Sequence, residues 1–237
     1  LLAVSIATTF VPELARMFHR GDHQQFSRTM SSGIRLTALL TIPASCGLLV
    51  MSKPIIGLLF QHGNFSAAAT ENTARALSGL AIGLAGFSIY LFVLRGFYAR
   101  NDTRTPFFIN IGENAINIVL AIVLVDRHGV FGLGLAFSIA YLVSALVALL
   151  VLESTEVDIK LSELAFNIAR IALAAGAMTC AVWFVIQYIG SDAGLGALTR
   201  VIAGTLIGVT TYVVALSALG EKTMRDYLSS KITKSSR

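Results

Sequence analysis

An all-α fold, a polytopic bundle of transmembrane helices, is what this 237-residue sequence predicts, and three observations predict it. Hydrophobic residues make up 55% of the chain and charged residues only 13%, too apolar a balance for a soluble domain of this length. Several apolar runs reach about eighteen residues or more, and a bilayer core of about 30 Å takes roughly 20 helical residues to cross. The alternating strands of about ten residues that a membrane barrel needs are absent.

Taken in order, Leu1 to Ala15 reads as the end of a helix whose beginning is missing, running into a polar loop from Arg16 to Arg28. The second segment is Ile34 to Met51, with an extension to Phe60 past Lys53 and Pro54 left open. Pro43 in its middle removes a backbone hydrogen bond and predicts a kink, which membrane helices tolerate where a neighbour satisfies the freed carbonyl. Gln61 to Glu71 is a polar loop, and Ala74 to Leu94 is the third segment, where Gly79, Gly83 and Gly86 expose backbone for close helix contact.

The junction from Leu94 to Pro106 is the densest polar interruption between two apolar runs, and it predicts a tight turn. Pro106 suits the first helical position, where its missing N–H costs nothing, and Asp102 or Thr103 can accept hydrogen bonds from the orphan amides. Segment four is Phe107 to Val125, followed by a turn at Asp126 to Gly129. Segment five, Val130 to Leu152, repeats Gly132, Ala136, Ala140, Ser144 and Ala148 along one stripe, which predicts tight packing on another helix. The acidic linker Glu153 to Glu163 has room for a short surface helix before segment six, Leu164 to Ile189, where Trp183 and Tyr188 suit an interfacial belt. Segment seven is Leu195 to Leu219, and a basic tail ends at Arg237.

The formal charge of +5 resides on cations flanking apolar helices rather than on a soluble basic face, so no nucleic-acid partner is expected. Placing the loops around Arg16 to Arg35, Arg95 to Arg104, Lys160 to Arg170 and Lys222 to Arg237 on one side puts 14 of the 18 cations there. By the positive-inside tendency that side is cytoplasmic, the C-terminus with it. No signal peptide is visible. Cys46 and Cys180 read as small packing residues, and His19, His23, His62 and His128 as solvated loop histidines without metal-ligand spacing. No catalytic constellation appears, so neither an enzyme, a cofactor nor a metal site is expected.

The polar residues of segment four are the most informative. Asn110, Glu113, Asn114 and Asn117 follow i, i+3, i+4, i+7 spacing and project within an arc of roughly 100°. An ionisable residue at membrane depth costs at least about 2.5 kcal/mol on insertion scales, so that face meets a partner or a water-filled cavity, not lipid. Interhelical hydrogen bonding and a hydrophilic cavity wall are both open readings. Arg35 and Arg95 sit at helix ends, where they either snorkel to headgroups or, with Arg100 and Arg104, attract phosphate at a cavity mouth.

The junction Gly96-Phe97-Tyr98-Ala99-Arg100 followed by Asp102-Thr103-Arg104-Thr105-Pro106 resembles the MurJ/MviN family of lipid II flippases. So do Phe10-Val11-Pro12-Glu13-Leu14-Ala15-Arg16, Arg35-Leu36 with Ile42-Pro43, and Phe60-Gln61-His62-Gly63-Asn64-Phe65, in the same order along the chain. The resemblance implies the C-terminal half of a fourteen-helix protein of the multidrug/oligosaccharidyl-lipid/polysaccharide exporter superfamily, beginning within its eighth helix. Such proteins are described as two lobes around a cationic cavity that alternates its opening, with two extra helices forming a groove for the polyprenyl tail.

On that basis residues 1–152 are lobe helices, 153–163 a cytoplasmic linker, 164–220 the two extra helices and 221–237 a cytoplasmic tail. The family's essential cavity arginines lie upstream of Leu1 and cannot be carried over. The implied function is translocation of a lipid-linked peptidoglycan precursor across the bacterial plasma membrane, with membrane lipids and cell-wall synthesis proteins as further partners. Two alternatives are a drug or ion antiporter on the same fold, which expects Glu113 to be indispensable, and a membrane scaffold for cell-wall enzymes.

Overall fold

The computed structural model describes residues 2–155 and 159–219, with side chains from Phe10 onward. Among these, eight helices and no strand are found: α1 (Leu2–His19), α2 (His23–Val50), α3 (Ser52–Phe60), α4 (Ala67–Ala99), α5 (Arg104–His128), α6 (Val130–Glu153), α7 (Leu161–Tyr188) and α8 (Gly194–Ala218). Six of them, α2 and α4 to α8, are long and apolar enough to cross a membrane. The segments expected from the sequence are all present, with longer helices and shorter turns.

Three expected turns are largely helix. The Arg16 to Arg28 loop shrinks to Arg20 to Asp22, because Asp22 caps α2 by accepting the Gln25 amide at 3.0 Å. Leu94 to Ala99 is the last part of α4, which ends where Asn101 takes a left-handed φ of 60°. Asp126 to His128 finish α5, leaving Gly129 alone to reverse the chain at φ 57° and ψ −137°, a conformation open to glycine and few other residues. The open extension to Phe60 is a separate short helix, α3, with Pro54 in its first turn. A surface helix in the linker would fall partly on 156–158, and the basic tail on 221–237, outside the described residues.

The spans form a row. α5 packs on α6, α6 on α4, α4 on α2, α2 on α7 and α7 on α8, while α1 leans on α4 and α2, and α3 bridges α4 and α8. Small residues let the central pair approach. A Cβ on Gly79 would sit 2.7 Å from the Phe131 carbonyl oxygen, and one on Gly83 would collide with the Ser138 backbone. The Ser138 hydroxyl donates to the Gly79 carbonyl at 2.6 Å. The expected stripe of Gly132, Ala136, Ala140, Ser144 and Ala148 is buried, with Gly132 against the Leu124 carbonyl of α5. A second small set, Gly134 and Ser138, faces α4, so α6 presents one close-packing surface to each neighbour.

Pro43 lies inside α2 without ending it. Its missing N–H frees the carbonyl four residues back, on Leu39, and the Tyr212 hydroxyl of α8 donates to that oxygen at 2.8 Å. At the opposite end from the α4–α5 junction, Lys53 pairs with Glu71 (3.1 Å) and Asp192 (3.5 Å), and Asp192 with Arg200, tying α3, α4 and the α7–α8 turn together. Trp183 and Tyr188 are exposed on α7, as an interfacial belt requires. Cys46 is half-buried, but Cys180 is exposed on α7, so it does not pack against a neighbour as expected.

Candidate functional site on the polar face of α5

At about 100° per residue, Glu113, Asn117, Asn110 and Asn114 follow one another around α5 at roughly −60°, −20°, 0° and +40° relative to Asn110. Burial follows that order. Glu113 is only 2% exposed, Asn117 is half-buried, and Asn110 and Asn114 are exposed. The polar arc therefore straddles an edge, one side closed by this chain and the other open.

On the closed side, Glu113 lies within electrostatic reach of Tyr90 on α4 and Tyr141 on α6. The two tyrosine rings are 5.6 Å apart, and Phe87 and Phe137 pack on Tyr141 at 4.9 and 4.4 Å. Tyr90 keeps its hydroxyl out of water with no hydrogen-bond partner among the described residues. Asn114 links the two sides, because its side-chain amide donates to Glu113 Oε2 (3.0 Å), to the Asn110 carbonyl (2.8 Å) and to Asn110 Oδ1 (2.9 Å).

On the open side, Asn110 and Asn114 line a groove of about 840 Å³ with Tyr98, Thr103, Pro106 and Phe107. Three of these belong to the α4–α5 junction, so the two regions singled out from the sequence meet there. Asp102 holds the junction by accepting the backbone amides of Arg104 (3.1 Å) and Thr105 (3.0 Å). Desolvation would raise its carboxyl, but hydrogen bonds from Thr105 and Arg104 and the nearby Arg100 charge outweigh it and hold it below the usual carboxylate value. Pro106 stands third in α5 rather than first, equally without cost, since the first-turn amides have no helical acceptor. Gly96 admits the Met30 side chain of α2, Phe97 is fully buried, and Arg104 is exposed.

The arginines do not gather at this groove. Arg35 lines a different cavity between α2 and α7. Arg95 lies half-buried on α4, outside the lining of the groove. Arg100 reaches back, its Nη1 donating to Thr155 beyond α6 and its guanidinium 5.5 Å above the Phe18 ring of α1, so it fastens three helix ends. Sequence reasoning missed the tyrosines beside Glu113; their signal was hydroxyls placed within the apolar runs of α4 and α6.

These features define a multi-pass helical membrane protein in which one span carries a polar arc between a sealed carboxylate and an open groove. The chain belongs to the lipid II flippase MurJ family, whose profile covers residues 1–204. It is 30% identical over 216 residues to the probable lipid II flippase MurJ of Rhizobium meliloti (strain 1021), covering 91% of this chain and 40% of the relative. The counterpart in Vibrio cholerae serotype O1 (strain ATCC 39315 / El Tor Inaba N16961) is 30% identical over 223 residues, 93% of this chain and 42% of the relative. A solved structure described as lipid II flippase MurJ in an inward closed conformation superimposes with a TM-score of 0.77 at 25% identity, over 96% of this chain and 44% of that one. The chain thus spans less than half the length of these relatives. The family and the six spans make it a multi-pass protein of the bacterial inner membrane.

Proposed function

We propose that this chain supplies the C-terminal lobe and two additional helices of a flippase that carries a lipid-linked peptidoglycan precursor from the cytoplasmic to the outer leaflet. The observation that carries the reading is the α5 arc in a chain of this family: Asn110 and Asn114 open onto a groove while the surrounding spans stay apolar. A polyprenyl-linked sugar needs a polar passage for its head while its tail remains in lipid. Rocking of two lobes provides that without covalent chemistry, so the protein acts as a transporter rather than an enzyme. Asn110, Glu113, Asn114 and Asn117 line or brace the passage, and the junction from Gly96 to Pro106 sets the angle at which α5 leaves α4.

Complementation tests this. The full-length protein should restore precursor export and growth to a bacterium depleted of its own flippase, and failure to do so at normal expression would overturn the assignment. An antiporter reading draws on the sealed Glu113 and predicts that Glu113→Gln abolishes gradient-driven efflux of organic cations. Normal efflux with impaired wall synthesis would eliminate it. From the cation count we infer that the α4–α5 junction and the C-terminus face the cytoplasm. An impermeant thiol reagent should label Asn64→Cys from outside and Asp102→Cys only after permeabilisation.

A further inference from the structure

Among the described residues, α2 is the only one of the six spans with a proline beyond its first turn, and its burial changes there. Before Pro43 it buries Phe26, Met30, Ile34, Thr37 and Thr41, with the Phe92 ring of α4 filling the notch at Gly33; after Pro43 it buries only Ser45. Thr37 and Thr41 donate their hydroxyls to the carbonyls of Gly33 and Thr37 at 2.9 and 2.8 Å, back-bonding that favours a bend. The helix then ends at Met51, and α3 starts with the next residue. Ala44 to Val50 is thus a short arm between two interruptions. Apart from half-buried packing by Cys46 and Val50, it is tied to α4 by one side-chain hydrogen bond among the described residues, from the Ser45 hydroxyl to the Ala81 carbonyl.

α8 crosses this arm at both ends. Tyr212 donates to the Leu39 carbonyl, the one that Pro43 leaves free, at 2.8 Å. Two turns nearer the α7–α8 turn, Gly204 receives the Met51 side chain, so close that a Cβ there would sit 2.6 Å from its sulfur. The turn itself grips α3: the Asp192 carbonyl oxygen lies where a side chain on Gly57 would be, and the Asp192 carboxylate pairs with Lys53 at 3.5 Å. Arg200 of α8 holds Asp192 in place, pairing with its carboxylate and donating from Nε to the Ile189 carbonyl at 2.7 Å. Tyr212, Gly204 and Asp192 therefore meet Leu39, Met51 and α3 in reverse order, along one antiparallel contact. We propose that α8 is a strap that fixes the bend of α2, fastened by Tyr212 before Pro43 and by the Asp192 ion pairs after Met51, so that displacement of the α7–α8 hairpin releases the arm to pivot at Pro43. α2 stands between α4 and α7 in the row, so its bend sets the angle between the two ends of that row. The device is separate from the α5 groove, and its state is read without transport.

Hydrogen–deuterium exchange of the full-length protein in lipid nanodiscs tests this, read by mass spectrometry on peptides from α2. Tyr212→Phe should raise exchange at Ala44 to Met51 about five-fold, the factor that one lost hydrogen bond gives to a local opening. Asp192→Asn, at the half-exposed far fastening, should raise it in the same stretch about two-fold. Neither should alter Phe26 to Ala38, the half of α2 that is buried. Ser138→Ala is the control, since it removes the hydrogen bond to Gly79 and loosens α6 from α4 without touching α8, and it should leave Ala44 to Met51 unchanged. Absence of the rise in Tyr212→Phe or in Asp192→Asn, an equal rise in the control, or a rise spread evenly over α2 would each overturn the strap.

Discussion

α4 and α5 are consecutive spans of similar hydropathy, yet 56% of the most apolar stretch of α4 is buried against 11% of that of α5. Apolar content sends both into the bilayer and does not decide which becomes core. Small residues decide it: α4 carries Gly79, Gly83 and Gly86 against α6 and meets α2 at Phe92, whereas α5 touches little besides α6. The span left at the edge is the one carrying the polar arc, where a groove can open without unpacking the centre.

The sharpest way to break this comparison is to place the same bulk on each helix. Gly83→Leu forces α4 off the Ser138 backbone and should cost about 3 kcal/mol or more, read as a fall in the thermal unfolding midpoint in detergent. Gly112→Leu on α5, where a Cβ meets nothing within 4 Å, should stay within about 0.5 kcal/mol. Similar losses at both sites would mean that α5 is as tightly enclosed in the full-length protein as α4.

Thiol labelling sharpens the contrast within α5 itself. Asn110→Cys and Asn114→Cys should react readily with a small water-soluble reagent, Asn117→Cys slowly, and Glu113→Cys hardly at all. A uniform rate along the arc would remove the distinction between a sealed and an open edge.

A smaller effect is expected at the α8 end of the row. Tyr212→Phe leaves the Leu39 carbonyl without its donor and should cost about 1 kcal/mol. In a Pro43→Ala background, which restores the missing N–H, the same change should cost markedly less. Equal costs in both backgrounds would show that the hydroxyl does not compensate for the proline.

The smallest effect belongs to the junction between the two spans. Asp102 has its carboxyl lowered in the folded state, so its stabilisation is fully present above the ordinary value of 3.8 and is lost as the pH falls through the lower folded value. The stability gap between the native protein and Asp102→Asn should therefore be constant from pH 7 to 5 and close only under stronger acid. A gap that closes near neutrality would mean that another group controls the junction.

The seven expected segments and the glycine contacts of α4 were legible in the sequence because insertion and close approach depend on local composition, whereas α3 as a separate eighth helix was not. The Pro43 carbonyl could be foreseen as needing a donor, but Tyr212 lies 169 residues further on and nothing local names it. The same limit applied to the α5 face: spacing gathered Asn110, Glu113, Asn114 and Asn117 correctly, while the direction of α6 decided which of them would be sealed. Arg35 was singled out at a helix end and Asn110 on a polar helix face; the row of helices puts the first in the α2–α7 cavity and the second in the α5 groove.

The order of that row differs from the order of synthesis. α4 leaves the ribosome before α5, yet α5 barely touches α4 and rests on α6, which is made later. During insertion, Glu113 therefore has only Tyr90 of α4 beside it within the described residues until α6 arrives, and an ionisable group left facing lipid is costly. The single-residue turn at Gly129 bears on this interval, because it allows α5 and α6 to leave the translocon as a paired hairpin with Tyr141 delivered alongside Glu113. Lengthening that turn should slow biogenesis and expose the nascent chain to quality-control proteolysis even where the finished fold would tolerate the insertion.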